Sequence, residues 1–377
     1  MSQPTPTLTL APPADISLSG SVLVLIQFDV CEEIRLDHLQ QTVSARTLKP
    51  NLKHVAPAYV RYERPPVVES VEPLVLESVL ESGEQLTGEI KYYDYGIVSA
   101  IFQMPFAGDW GSLVRLASRW VWEIDFASRV EPIVRQKLER CAAALVKPYT
   151  RWLSEDYFIF HVREAAGYTL AADLNRAFGR QIAQVVRGEP LPLSDGECAE
   201  VLNSQISYYA TDVAVIGWNA AFLFDSTAGA ETAIQLLEYA NSQLLEFRHY
   251  DELLTGVLDG VYNSLGQRTR RLARWRLARS ANSLQTVLLD VAELTEHADN
   301  AIKFLSDMYA ARLYRLAAIK VGVPDYKNLV AQKLKNAEDL YDYMVEQFNQ
   351  SRAFFLEAVV VLILLIELFY LFRGHPL

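Results

Sequence analysis

Apolar and polar positions fall into two regimes along this chain, with the change near residue 225. Before it, short apolar runs alternate with helical patterns; after it, the pattern is helical alone. Ser21–Phe28, SVLVLIQF, is short and β-rich and reads as a buried strand. A polar, helix-like piece, CEEIRLDHLQQTV, follows it. Residues 49–75 hold five prolines and read as edge strands or extended linker. Gly88–Phe102 reads as a strand broken at Gly96, and Leu113–Leu145 as a helix ended by Lys147 and Pro148. Tyr157–Val162 is another apolar strand and Leu170–Val186 a helix. Val213–Phe224 predicts a hairpin turning at Trp218, Asn219 and Ala220. Strands and helices so mixed imply an α+β domain over residues 18–225, behind a Pro-, Ser- and Thr-rich lead-in at 1–17.

Residues 226–352 read as all helix. Ala230–Leu265 is free of proline and ends at Gly266, a suitable C′ residue. One stripe then runs along Leu284, Val287, Val291, Leu294, Ala298, Ala301 and Leu305. A second runs along Val330, Leu334, Ala337, Tyr341, Met344 and Phe348. Steps of three and four are what supercoiling helices require, and the 321–327 turn, with Asp325 as its N-cap, separates the two stripes. The pattern therefore predicts an antiparallel coiled-coil hairpin.

The second stripe continues without a break into 353–372, where fifteen Leu, Ile, Val and Phe surround only two charges, Glu357 and Glu367. On an insertion scale those side chains contribute roughly −7 kcal/mol, against about +3 kcal/mol for each central carboxylate. The balance predicts one C-terminal transmembrane helix, with 373–377 as its tail. The expected fold is thus an α+β N-terminal domain, an all-α antiparallel coiled-coil hairpin and a membrane anchor.

Composition narrows the function classes. A net charge of −11 argues against DNA and general nucleic-acid binding, which need excess Lys and Arg. Cys31, Cys141 and Cys198 are far apart and show no metal-ligand spacing, which fits a reducing compartment. The first twenty residues carry no Lys or Arg, so they resemble neither a secretory signal nor a transit peptide. The body of the protein is then expected in the cytoplasm, on a bacterial inner membrane. Walker, GxGxxG, GxSxG and HExxH motifs are absent. The expectation is no enzyme, no catalytic residue, no cofactor and no metal. His161 with Glu164, and His249 beside Arg248 and Asp251, read as surface ion-pair clusters.

Two groups carry candidate chemistry. Glu357 and Glu367 lie about 80° apart around a helix, so both can face a partner helix within a membrane. The run RTRRLARWRLAR supplies Arg268, Arg270, Arg271, Arg274, Arg276 and Arg279, suited to anionic lipid head groups or RNA phosphates.

The tail RAFFLEAVVVLILLIEL, with Leu356-Glu357 and Ile366-Glu367 ten residues apart, resembles the C-terminus of the sporulation/meiotic-nuclear-division family, also called the domain-of-unknown-function-155 family. Gly88–Phe102 is similar to that family's Gly-Glu-Ile…Tyr-Gly strand. Ser99-Ala100-Ile101-Phe102 and Tyr309-Ala310-Ala311 depart from its pattern, as in a divergent bacterial relative. The resemblance implies a membrane-anchored α/β protein of uncharacterised biochemistry. Its eukaryotic members are mitochondrial inner-membrane proteins with a proposed tethering role in support of translation, and it brings no catalytic residues. The function expected is a membrane-anchored scaffold or tether. It would be a homo-oligomer holding the α+β domain near a protein or ribonucleoprotein partner. The alternative is a membrane-bound enzyme or small-ligand sensor with a pocket in that domain.

Overall fold

A computed structural model describes residues 16–42, 46–47, 60–62, 64–76, 84–266, 302–304 and 308–374. The chain forms two compact units. One is Met1–Phe247 with His297–Asp325, and the other is Arg248–Glu296 with Tyr326–Leu377.

The first unit is built on strand β1 (Leu18–Ile34), whose apolar run extends well past Phe28. The strands that follow are β2 (Arg46–Thr47), β3 (Val60–Tyr62), β4 (Val67–Leu76), β5 (Glu84–Tyr92) and β6 (Ile97–Gly108). Later in the chain come β7 (Leu145–Ala165), β8 (Gln205–Ile206), β9 (Val213–Ile216), β10 (Ala220–Phe224) and β11 (Ile302–Phe304). A nine-stranded sheet runs β2-β4-β5-β6-β1-β7-β10-β9-β8, and β3 pairs separately with β11. All the pairs are antiparallel except β7 with β10, which is parallel.

Alternation along the strands makes two buried faces. Val22, Val24, Ile26 and Phe28 of β1, Val98, Ala100 and Phe102 of β6, and Phe158, Phe160 and Val162 of β7 enter one core. Three helices cover it: α2 (Trp110–Trp122), α3 (Phe126–Arg140) and α4 (Ala171–Arg187). Trp110 stacks on Phe178, and Trp120 packs against Phe126. The short helices α1 (Leu36–Thr42) and α5 (Asp195–Asn203) flank this layer. The opposite face carries Leu23, Leu25, Gln27 and Asp29, all at most 4 % exposed. The first half of α6 (Thr227–Gly266) covers it, and α7 (Met308–Val321) packs on that helix through Tyr239 and Tyr314.

Local chemistry explains where the structure departs from the pattern along 113–145. The expected single helix is two, because Asp109 and Asp125 each accept from the amide three residues on and start a new helix. Pro148 does not end an element but lies inside β7. It pairs with Cys31 next to a register irregularity in β1, the kind of place where a strand tolerates a residue without an N–H. The break at Gly96 is a hairpin turn between β5 and β6. That glycine has φ +89°, and an added Cβ would lie 1.8 Å from the Cys31 carbonyl oxygen.

The second unit is helical. The last helix, α8 (Val323–Phe372), follows Gly322, whose φ of +94° ends α7. Ala337 and Met344 of the expected stripe are buried against Leu258 and Val261 of α6. Lys333 pairs with Asp251 at 2.5 Å and bonds Thr255, so the two helices run in the same direction. The expected antiparallel hairpin is a different pairing, of this stripe with the one from Leu284 to Leu305. The proposed arm from Leu284 to Ala301 lies outside the described residues, as does Leu305, and Ile302–Phe304 is strand β11.

The membrane anchor is also corrected. Among the described residues no helix is long and apolar enough to cross a membrane. Glu357 and Glu367 interrupt the apolar run and leave Ala358–Ile366 free of charge between them. Those residues reach about 14 Å, half of a hydrocarbon core roughly 30 Å thick. The single-pass topology and inner-membrane location expected from the sequence go with it.

Two glycines of similar φ separate strain from crowding. Gly167, at φ +83°, would meet nothing within 4 Å, so Gly167→Ala should cost about 1–2 kcal/mol for the left-handed backbone alone. Gly96→Ala should cost clearly more, because the β5–β6 turn must also move off β1. Urea unfolding of both variants checks this, and equal losses would contradict the packing.

Candidate functional site

Where β1 ends, Ile34 donates its N–H to the Asp94 carbonyl at 2.9 Å, and Arg35 donates to the Ala144 carbonyl at 2.9 Å. These bonds pin a charged rim around a cavity of about 560 Å³, within the roughly 300–1,000 Å³ of ligand pockets. Glu33, Arg35, Asp37, His38, Arg64 and Asp94 supply its charged and titratable groups. Arg64 stands 3.8 Å from Glu33 and 3.7 Å from Asp94, too far for hydrogen bonds. Among the described residues no group hydrogen-bonds its guanidinium, which can receive a third group.

Inside the domain, a polar seam separates the second sheet face from α6. No residue from Leu236 to Phe247 is more than 4 % exposed, so this stretch is buried on every side. Yet it carries Glu238, Asn241, Ser242, Gln243 and Glu246. Lys91 Nζ of β5 donates to Glu238 Oε2 at 2.7 Å, and Gln27 Nε2 of β1 donates to the Glu238 carbonyl at 2.8 Å. Ser242 Oγ donates to the Tyr239 carbonyl, which leaves the Tyr95 hydroxyl as donor to Ser242 Oγ at 3.0 Å. Further along, burial and the nearby Asp29 carboxylate push the Cys31 thiol up to about 12. Burial, then Asp29 and Glu246, also raise the Tyr149 phenol. Both stay protonated at neutral pH, which makes Cys31 a poor nucleophile.

At the other end of the same face, His161 Nε2 lies 2.9 Å from the Asp225 carbonyl, which can only accept. The proton therefore sits on Nε2, and Nδ1 faces Ser21 Oγ at 3.4 Å as an acceptor. Burial holds the imidazole below its ordinary value, and the nearby Asp225 works against this. Burial raises the Asp225 carboxyl in turn.

Of the residues singled out in the sequence, His161 alone lies at one of these places, and it is buried rather than part of a surface cluster. Glu164 accepts from Ser19 rather than meeting His161. His249 lies edge-on to Tyr250. Glu357 and Glu367 are exposed on α8, and Arg268, Arg270, Arg271, Arg274, Arg276 and Arg279 lie outside the described residues. The sequence pattern does not reveal the rim cations or the Lys91–Glu238 pair. Arg64 meets its carboxylates, and Lys91 meets Glu238, only across long stretches of chain. Glu238 and Glu246, eight apart in an apolar helix, are the one local hint.

A nine-stranded mixed sheet with helices on both faces defines an α+β domain protein of unassigned chemistry. The chain belongs to the family described as "Uncharacterized protein MJ0711, N-terminal domain", matched over residues 19–231. It is 20 % identical over 169 residues to the uncharacterized protein MJ0711 of Methanocaldococcus jannaschii, which covers 45 % of this chain and 52 % of that protein. The chain thus spans about half the length of this curated relative. No solved structure matches it. These matches overturn the resemblance to the sporulation/meiotic-nuclear-division family. The matched family is uncharacterised and assigns no catalytic residue.

Removing one partner of the buried pair strands the other charge. Lys91→Met should cost about 3–5 kcal/mol in urea unfolding, and Lys91→Met with Glu238→Leu should recover most of that. A single variant as mild as a surface change would show that the pair is not buried as described. For His161 the sign is set by burial. The unfolded chain takes a proton near 6.5 and the folded chain only at lower pH, so this contribution is complete above 6.5 and lost as pH falls below it. Asp225 has the opposite sign, so the test is the difference between variants. His161→Gln keeps a donor towards the Asp225 carbonyl. Its melting temperature should fall less than the parent's between neutral pH and pH ~5.

Proposed function

We propose that the protein is a self-associating scaffold, without catalytic activity of its own, that holds copies of its α+β domain together through the end of α8. One observation carries this reading. Fourteen large apolar side chains between Phe354 and Phe372 are 48–82 % exposed. They present on the order of 1,000 Å² of apolar surface, against roughly 800 Å² per partner in a standard interface. The segment is apolar around its whole circumference, so one neighbouring helix cannot cover it and several copies can. Glu357 and Glu367, about 80° apart, would share one flank of each helix and face water at the rim of the bundle. A closed assembly of identical helices uses the same patch on every copy, which suits a chain that supplies both surfaces. Such an assembly would offer several equivalent domains to a protein or ribonucleoprotein partner.

Light scattering after size exclusion tests this with the full chain and a chain stopped at Gln350. The full chain should form one discrete oligomer and the shortened chain a monomer. A monomeric full chain, or a polydisperse one, would overturn the proposal.

A further inference from the structure

The charged cavity at the end of β1 has a lining with a feature that selects a ligand. Its carboxylates, Glu33, Asp37 and Asp94, nearly balance its cations, Arg35 and Arg64, with His38 beside them. A strongly anionic ligand would meet three carboxylates there, and a polyamine would meet two guanidiniums. A ligand with one charge of each sign meets complementary groups whichever way it enters. Among the described residues Arg35 makes no ion pair. Arg64 is placed by two carboxylates without hydrogen bonds to either, so both guanidiniums can receive a carboxylate. The backbone behind Arg35 and Asp94 is held by the strand-end bonds to Ala144 and Ile34. Part of the ordering cost of binding is therefore met before a ligand arrives.

We propose that this cavity binds a small zwitterion of the chemical class of a free α-amino acid. Its carboxylate would lie on Arg35 and Arg64, and its ammonium on Glu33 and Asp94. No bond is made or broken, so the site is one of recognition.

Isothermal titration of the full-length chain tests it. The probes are the standard amino acids, their N-acetyl derivatives, which lack the ammonium, and their decarboxylated amines, which lack the acid. At least one amino acid should bind saturably, with both analogues of that compound at least about tenfold weaker. Arg35→Gln and Glu33→Gln should each weaken it by a similar factor. Arg35 is exposed and Glu33 half-buried, so both variants should melt like the parent. Absence of saturable binding by any amino acid would overturn the proposal. An N-acetyl derivative binding as tightly as its parent would make this a plain anion site and overturn it as well. Binding left unchanged in both variants would place the ligand elsewhere on the protein, which also contradicts the proposal.

Discussion

Strand β1 has a hydrogen-bonded neighbour on each edge and buried side chains on each face, and the first unit is arranged around that burial. A strand with both faces dry cannot be satisfied by one covering layer. One layer is apolar and built early in the chain, from α2, α3 and α4. The other comes from α6 and α7, which lie far along the chain from the strand they cover. The fold of the N-terminal domain therefore depends on residues beyond its last strand, and α7 belongs to the first unit although α6 separates them in sequence.

The second layer is held differently from the first. Around α2, α3 and α4, contact is between Trp, Phe and Val side chains, where burial is favourable and geometry forgiving. Around α6, Gln27, Lys91, Tyr95 and Tyr314 meet Glu238, Ser242 and Gln243 through bonds that each require one register. Such a seam contributes less net stability than an apolar one, because the groups leave water to form it. Glu238 Oε1 and Gln27 Oε1 have no hydrogen-bond partner among the described residues, which adds to that cost. What the seam supplies is specificity of position: a sliding or rotated α6 would strand Lys91.

The two proposed functions rest on surfaces that the core does not use. The rim at the end of β1 is polar and fixed by backbone hydrogen bonds on both sides. The end of α8 is apolar and has no cover within the described chain. The first suits a small charged ligand and the second a larger apolar neighbour.

The strands at Ser21–Phe28, Tyr157–Val162 and Val213–Phe224, and the helices at Leu170–Val186 and Ala230–Leu265, are all present in the structure. Runs of β-branched residues and helical spacing are local signals that need no partner to be read. The split of α2 from α3 was also written locally, in Asp109 and Asp125 as caps. The length of the apolar pattern across 113–145 concealed it. Other features had no local trace. Pro148 inside a strand depends on an irregularity contributed by β1, at the far end of the domain's sequence. The parallel pairing of α6 with α8, and the meeting of Lys91 with Glu238, depend on a path that brings distant segments together. The charged rim likewise joins residues 33–40 to residues 64 and 94. Periodicity and caps act within a few residues and are legible in the chain by itself. Pairing, register and the convergence of charge are long-range, and only the tertiary structure decides them.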